Sequence, residues 1–230
     1  MTDGWERPPA DDPFAEARTR MVAQQIAARG VRDQATLAAM NRVPREAFVP
    51  ENLRHRAYDD GALSIGHGQT ISQPFIVARM TEALDLSGWR SRHPGETPSV
   101  LDVGTGSGYQ AAILAELGAR VTTIEFNQDL SREAGERLAS LGYRVETVVG
   151  DGGLGYPPNG PYAGIVLAAA APRVPPPLTE QLAEDGSLAA PIGRREHQQL
   201  TVVRRRGDRF EQIELEPCVF VPLLGRYGYR

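Results

Sequence analysis

The chain has 230 residues, enough to bury one sizeable core without disulfides or a structural metal. Hydrophobic residues make up 41% and charged residues 23%, both globular values, and the net charge of −4 lacks the positive field that non-specific nucleic-acid binding requires. A single cysteine, Cys218, excludes an internal disulfide framework and a cysteine-rich metal site, and the four histidines are scattered, so no metal is expected.

In chain order, residues 1–13 are polar and rich in Pro and Asp, which reads as a disordered tail. A helix follows, with Met21, Val22 and Ile26 on one side and Gly30 as its stop. Asp33 is placed to cap a helix over 34–40. Pro44 and Pro50 bracket an irregular stretch around Phe48-Val49, and the glycine-rich run 61–72 reads as a loop. Pro74 starts a helix through Ile76, Val77, Met80 and Leu84. Residues 88–98 read as a polar connector. Beyond it, strands are expected over 99–103, 121–124, 145–149, 165–169 and 187–191. Helices are expected over 109–117 and 129–141, closed by Gly118 and Gly142, with 178–182 on a further helix. A hairpin of 199–206 and 210–215 turns at Gly207-Asp208. Strands alternating with helices predict the α/β class: a mostly parallel sheet, here with a C-terminal antiparallel hairpin and an N-terminal helical extension. Arg204-Arg205-Arg206 reads as a solvated strand end, and Cys218 as a small buried hydrophobe. With no apolar run of membrane length and no signal-peptide pattern, a cytoplasmic protein without membrane or nucleic-acid partners is expected.

The segment Asp102-Val103-Gly104-Thr105-Gly106-Ser107-Gly108 follows a strand and opens a helix. Glycines there allow a sharp turn and a close ligand approach, at the carboxyl end of a strand where open α/β sheets bind ligands. Gly104, Thr105, Gly106 and Gly108 are therefore candidate cofactor contacts. Glu125 ends the next strand at the spacing of a ribose-binding acid, and Asp151 follows the third strand in Gly150-Asp151-Gly152. A nicotinamide enzyme would carry Gly-x-Gly-x-x-Gly, whereas this loop is Gly-x-Gly-x-Gly preceded by Asp102. The order of loop, Glu125 and Gly150-Asp151-Gly152 is similar to that of Rossmann-like S-adenosylmethionine-dependent methyltransferases.

The chain further resembles the protein-L-isoaspartate O-methyltransferase family over roughly residues 21–228. The most specific segment is Gly68-Gln69-Thr70-Ile71-Ser72-Gln73-Pro74-Phe75-Ile76-Val77-Ala78. It is supported by Met21-Val22-x-Gln24-Gln25-Ile26, Val43-Pro44-Arg45-Glu46-x-Phe48-Val49-Pro50, Ala170-Ala171-Pro172 and Phe220-Val221-Pro222-Leu223. The resemblance implies methylation of the free α-carboxylate of L-isoaspartyl residues in damaged proteins, giving an ester that closes to a succinimide. It implies S-adenosyl-L-methionine as cofactor and isoaspartyl proteins or peptides as partners; a monomer is expected. It also implies one compact domain: a tail 1–13, an extension 14–98 carrying the substrate loop, and a methyltransferase core 99–230. Ser72 matches the family's functional serine, and Gln69, Thr70, Ile71, Gly104, Glu125, Asp151 and Gly152 match its cofactor site. A carboxylate is already ionised at neutral pH, so no general base is needed, and Ser72 would orient it rather than attack. A bland alternative for Ser72 is a cap on the helix at Pro74.

Ala163, Ala168 and Val219 depart from the family pattern, which has aspartate, threonine and arginine there; Ala163 is placed before the fourth strand. Such departures permit a relative that esterifies an aspartate in one dedicated ribosomally made peptide. A nucleic-acid amino-methyltransferase would need Asp/Asn-Pro-Pro-aromatic after the fourth strand. Here Pro157-Pro158-Asn159-Gly160-Pro161-Tyr162 lies before that strand and is scrambled. A non-catalytic scaffold would have a broken glycine loop or no Ser72, and both are intact.

Overall fold

A computed structural model describes residues 12–229; the tail expected at 1–13 lies outside the described residues up to residue 11. The N-terminal part is helical. Helix α1 (Ala15–Arg20) continues through a wide turn (Met21–Ile26) and a tight one (Ala27–Arg29), and ends at Gly30 with φ +99°. Helix α2 (Gln34–Arg42) is capped by Asp33, whose carboxylate accepts the Thr36 N–H at 2.8 Å. A short turn (Arg45–Phe48) fills the proline-bracketed stretch, and a second (Glu51–Arg56) follows Pro50.

The run expected to be a loop forms a hairpin, β1 (Leu63–Gly66) and β2 (Gln69–Ile71). Gly66, His67 and Gly68 turn it, all with positive φ. A strand of three or four residues is too short to show a period, so glycine punctuation masked it. Helix α3 (Pro74–Ala83) starts at Pro74 as expected. The connector read over 88–98 instead begins inside helix α4 (Leu86–Arg92), capped by Asp85 and anchored by buried Leu86 and Trp89. Its seven residues also hide their period, and Gly88 suggests a break.

The core alternates as expected: β3 (Ser99–Val103), α5 (Tyr109–Glu116), β4 (Arg120–Glu125), α6 (Gln128–Ser140), β5 (Val145–Val149) and β6 (Tyr162–Leu167). The fourth strand thus starts three residues before its expected position, and Ala163 lies buried within it rather than ahead of it. Helix α7 (Pro176–Glu180) stops before Leu182, which instead opens β7 (Leu182–Arg194). Pro176 and Pro177 set the first turn of α7. In β7 the register shifts between its pairings with Tyr162 and Gly164, and Asp185 there has φ +59°, so only the part from Ser187 on was legible as a strand. β8 (His197–Arg206) and β9 (Arg209–Cys218) complete a seven-stranded sheet of order β5-β4-β3-β6-β7-β8-β9. The first five strands are parallel, and β8 and β9 are antiparallel. At the β8 end, Arg205 donates to the Leu182 carbonyl at 2.7 Å and Arg206 pairs with Asp185 at 2.5 Å.

Strand β3 is buried along its whole length, because helices cover both faces of a parallel sheet. Val100 joins a core that includes Met21, Ile26, Met40, Val77 and Ile113, so the helical extension and the sheet share one interior. Leu101 and Val103 point to the opposite face, with Ile165, Leu178 and Leu188. Among the described residues, no helix is long and apolar enough to cross a membrane.

The shared core predicts that the extension and the sheet unfold together. Ile26 is 0% exposed, so Ile26→Ala should cost about 2–5 kcal/mol. Urea denaturation followed by tryptophan fluorescence and by circular dichroism should give one coincident, shifted transition.

Candidate active site

At the carboxyl ends of β3, β4 and β6 the chain leaves the sheet and opens a cleft enclosing about 860 Å³, its solvent-open mouth included. The sheet ladder carries on into the turns: Gly104 N–H donates to the Ile124 carbonyl at 2.9 Å, and Ala168 N–H to the Val103 carbonyl at 2.7 Å. Gly104 and Gly106 have φ of +94° and +51°, conformations that side chains rarely adopt. Gly104, Thr105 and Gly106 all line the cleft.

Glu125 reaches back to the glycine turn. Its Oε2 accepts the Gly106 N–H at 3.0 Å and its Oε1 the Asn127 N–H at 3.1 Å. A carboxylate has about four lone-pair sites, so acceptor capacity remains toward the cleft. Gly152 lines the same wall, and a Cβ there would sit 2.3 Å from Val103 Cγ1. From the helical extension, β2 and the residue after it bring Gln69, Thr70, Ile71 and Ser72 to the opposite wall.

Two expected site residues stand apart from the cleft lining. Gly108 has φ +90° and starts α5, with Leu138 3.2 Å from where its Cβ would lie. Asp151 turns away: its Oδ1 accepts the Gly153 N–H at 3.0 Å and its Oδ2 the Arg226 N–H at 2.8 Å. It therefore ties down the C-terminal segment, whose Pro222, Leu223 and Leu224 form another wall of the cleft.

A second cavity adjoins the first. It is walled by Gly61, Ile76 and the exit of β9, where Val219 is 75% exposed. Thr70, Ser72, Ala168, Phe220 and Val221 line both cavities and so form the partition between them. Asp60 is the one charged residue in the second lining among the described residues; Gln73 donates to it at 2.7 Å. Cys218 also lines it, half-buried rather than buried, with burial pushing its thiol up to about 11. No side chain caps α3, whose N-cap position is Gln73, so the helix-cap reading of Ser72 is not met.

A family model described as Protein-L-isoaspartate(D-aspartate) O-methyltransferase matches residues 16–228. The chain belongs to this family. Among its relatives, the protein-L-isoaspartate O-methyltransferase of Methanoculleus marisnigri is 50% identical, over 95% of this chain and 96% of the relative. Protein-L-isoaspartate O-methyltransferase 1 of Rhodopseudomonas palustris is also 50% identical, over 98% of this chain and 91% of the relative. A solved protein-L-isoaspartate O-methyltransferase has a TM-score of 0.77 at 25% identity, over 93% of this chain and 67% of that one. A Plasmodium falciparum beta-aspartate methyltransferase, solved in complex with S-adenosyl-L-homocysteine, shares the fold with a TM-score of 0.72. It is 23% identical, over 90% of this chain and 98% of that one.

Sequence reasoning missed several residues of the methyltransferase cleft. Phe126, 52% exposed beside Glu125, lines it, and an aromatic directly after a strand-end acid was the available signal. Tyr109 and Gln110 line it from the start of α5. Residues 222–224 arrive from far along the chain; Pro222 and Leu223 stood in a segment that marked the family, but nothing local put them in the cleft wall. Beneath the glycine turn, Asp102 is completely buried: Thr123 Oγ1 donates to its Oδ2 at 2.8 Å and is itself 2.7 Å from Thr105 Oγ1. Asp102 Oδ1 has no partner among the described residues. Burial raises its carboxyl from the ordinary 3.8 to about 7, against the Thr123 hydrogen bond and helped by the Glu125 charge.

Between those two values the folded enzyme holds a proton that the unfolded chain has released, so this group's stabilisation is lost as pH rises from about 4 toward about 7. Asp102→Asn should remove that slope. Urea titrations at about pH 5 and about pH 8 should show the wild type losing stability relative to the variant at the higher pH.

Proposed function

We propose that the enzyme uses S-adenosyl-L-methionine to methylate the free α-carboxylate of L-isoaspartyl residues in damaged proteins and peptides, with Ser72 orienting the acceptor. The observation that carries this reading is the meeting of two cavities at Ser72. A donor and an acceptor held on either side of one partition can react in line. Orientation of that kind supplies roughly 7–11 kcal/mol in the best cases.

The cleft fits a nucleoside with an amino-acid tail. Glu125 presents acceptor capacity for ribose hydroxyls, and Phe126 offers an aromatic face at the rim. Gly104, Thr105, Gly106 and Gly152 would hold the cofactor from the sheet side, with Gln69, Thr70 and Ile71 opposite. Gly108 and Asp151 act indirectly, by starting α5 and by fixing the C-terminal wall. When bound, the cofactor supplies a methyl group already activated on a sulfonium. The protein's task is therefore placement. The Ser72 hydroxyl donates a hydrogen bond to the acceptor carboxylate, which is ionised at neutral pH and needs no base. The ester leaves the site and closes to a succinimide without further help from the chain. Membership of the family over residues 16–228 supports the choice of acceptor.

With radiolabelled cofactor, an isoaspartyl peptide should yield base-labile methanol, and the matching aspartyl peptide none. Equal labelling of both, or of neither, overturns the reading. Ser72→Ala should lower kcat by up to about 100-fold and leave cofactor binding intact. Glu125→Gln should weaken S-adenosyl-L-homocysteine binding at least about tenfold by calorimetry, as expected for losing a charged hydrogen-bond acceptor.

A further inference from the structure

Arg45 is 0% exposed, yet no carboxylate faces it among the described residues. A buried cation without an acid partner is costly, so the groups it does meet carry information. Its Nε donates to the Ala57 carbonyl at 2.7 Å, and its Nη2 donates to the Ser72 carbonyl at 2.7 Å. Its guanidinium carbon lies 4.9 Å from the centre of the Tyr109 ring, and Tyr109 lines the cofactor cleft. Nη1 is buried without a hydrogen-bond partner among the described residues. One planar cation thus grips the partition residue, the chain just ahead of the Asp60–Gly61 wall, and the first residue of α5.

The second cavity poses an electrostatic problem. An acceptor carboxylate entering it meets Asp60 as the one lining charge, and no lining cation among the described residues. The fixed positive charge lies one layer back, on the other side of the Ser72 peptide.

We infer that Arg45 is a positioning residue for methyl transfer: it fixes the Ser72 peptide, and with it the Ser72 hydroxyl, and its buried charge draws the acceptor carboxylate to the partition. The inference rests on the acceptor-orienting role of Ser72. A guanidinium suits the task because its planar fork binds two carbonyls in fixed directions, whereas an ammonium presents a point charge. Arg45→Lys keeps charge without the fork, and Arg45→Gln removes both.

The test is steady-state kinetics on an isoaspartyl peptide with calorimetric binding of S-adenosyl-L-homocysteine. The proteins are wild type, Arg45→Lys, Arg45→Gln, Ser72→Ala and the Arg45→Lys, Ser72→Ala double variant. Expected for Arg45→Lys is a loss of about tenfold in kcat/KM with cofactor affinity held within about twofold, and for Arg45→Gln a larger rise in the peptide KM. In the Ser72→Ala background, Arg45→Lys should cost no more than about twofold, because groups that act through one another are not additive. An equal loss in both backgrounds, a parallel loss of cofactor affinity, or failure of both Arg45 variants to fold would make Arg45 a structural cation and overturn the inference. A fully active Ser72→Ala enzyme would instead overturn the Ser72 reading beneath it.

Discussion

The seam between β3 and β4 fixes the glycine turn from three sides. Gly104 is held by the Ile124 carbonyl, Gly106 by the Glu125 carboxylate, and Thr105 by Thr123. Each contact joins the turn after β3 to β4, so the donor side of the site is built on two adjacent central strands. Central parallel strands are buried on both faces and paired along both edges, which gives the turn a stiff support. The same seam holds Glu125 on the wall of the cleft. The rest of the cleft is added around this corner by β2, α5 and the C-terminal segment.

Two buried ionisable groups back the cleft, one behind the glycine turn and one behind Ser72, and both are only partly satisfied among the described residues. Among the described residues, Asp102 beneath the glycine turn leaves Oδ1 unpaired, and Arg45 behind Ser72 leaves Nη1 unpaired. Unpaired buried polar atoms cost stability, and their persistence at functional positions follows a general pattern of strain kept where function needs it. In both cases the ionised form is disfavoured by burial, which raises Asp102 and lowers Arg45. The two groups have different consequences. Asp102 titrates near neutrality, whereas a guanidinium stays charged and provides a constant field.

Legibility in the sequence followed the range of the interactions. The strands around the glycine loop could be read because a buried β-strand is a short apolar run, as in Val100-Leu101-Asp102-Val103. Gly104, Glu125 and Gly152 share one cleft wall because they follow or end neighbouring strands, and strand ends are where such sheets open. The β1–β2 hairpin and α4 escaped because they are shorter than the periods that reveal them. The tie from Asp151 to the Arg226 amide, 75 residues along, is one that no local pattern announces. Arg45 sat in a motif that marked the family, but only the fold shows that it meets Ser72 and Ala57. Ser72 itself needed family resemblance, since a serine before Gln73-Pro74 equally suggests a cap.

The second cavity is walled on one side by Pro217, Cys218 and Val219, where the sheet's last strand leaves it. Among the described residues that strand pairs with β8 alone, and its register breaks between Gln199 and Thr201. A strand tethered along one edge is displaced at lower cost than one tethered along two. The two halves of the active site therefore differ in stiffness by construction. On the proposed reading, the half that takes the cofactor is held on central strands, and the half that takes a polypeptide is bordered by an edge strand. A damaged residue can arise in many sequence surroundings, and a margin that gives way can accommodate neighbours of different size without disturbing the reacting geometry.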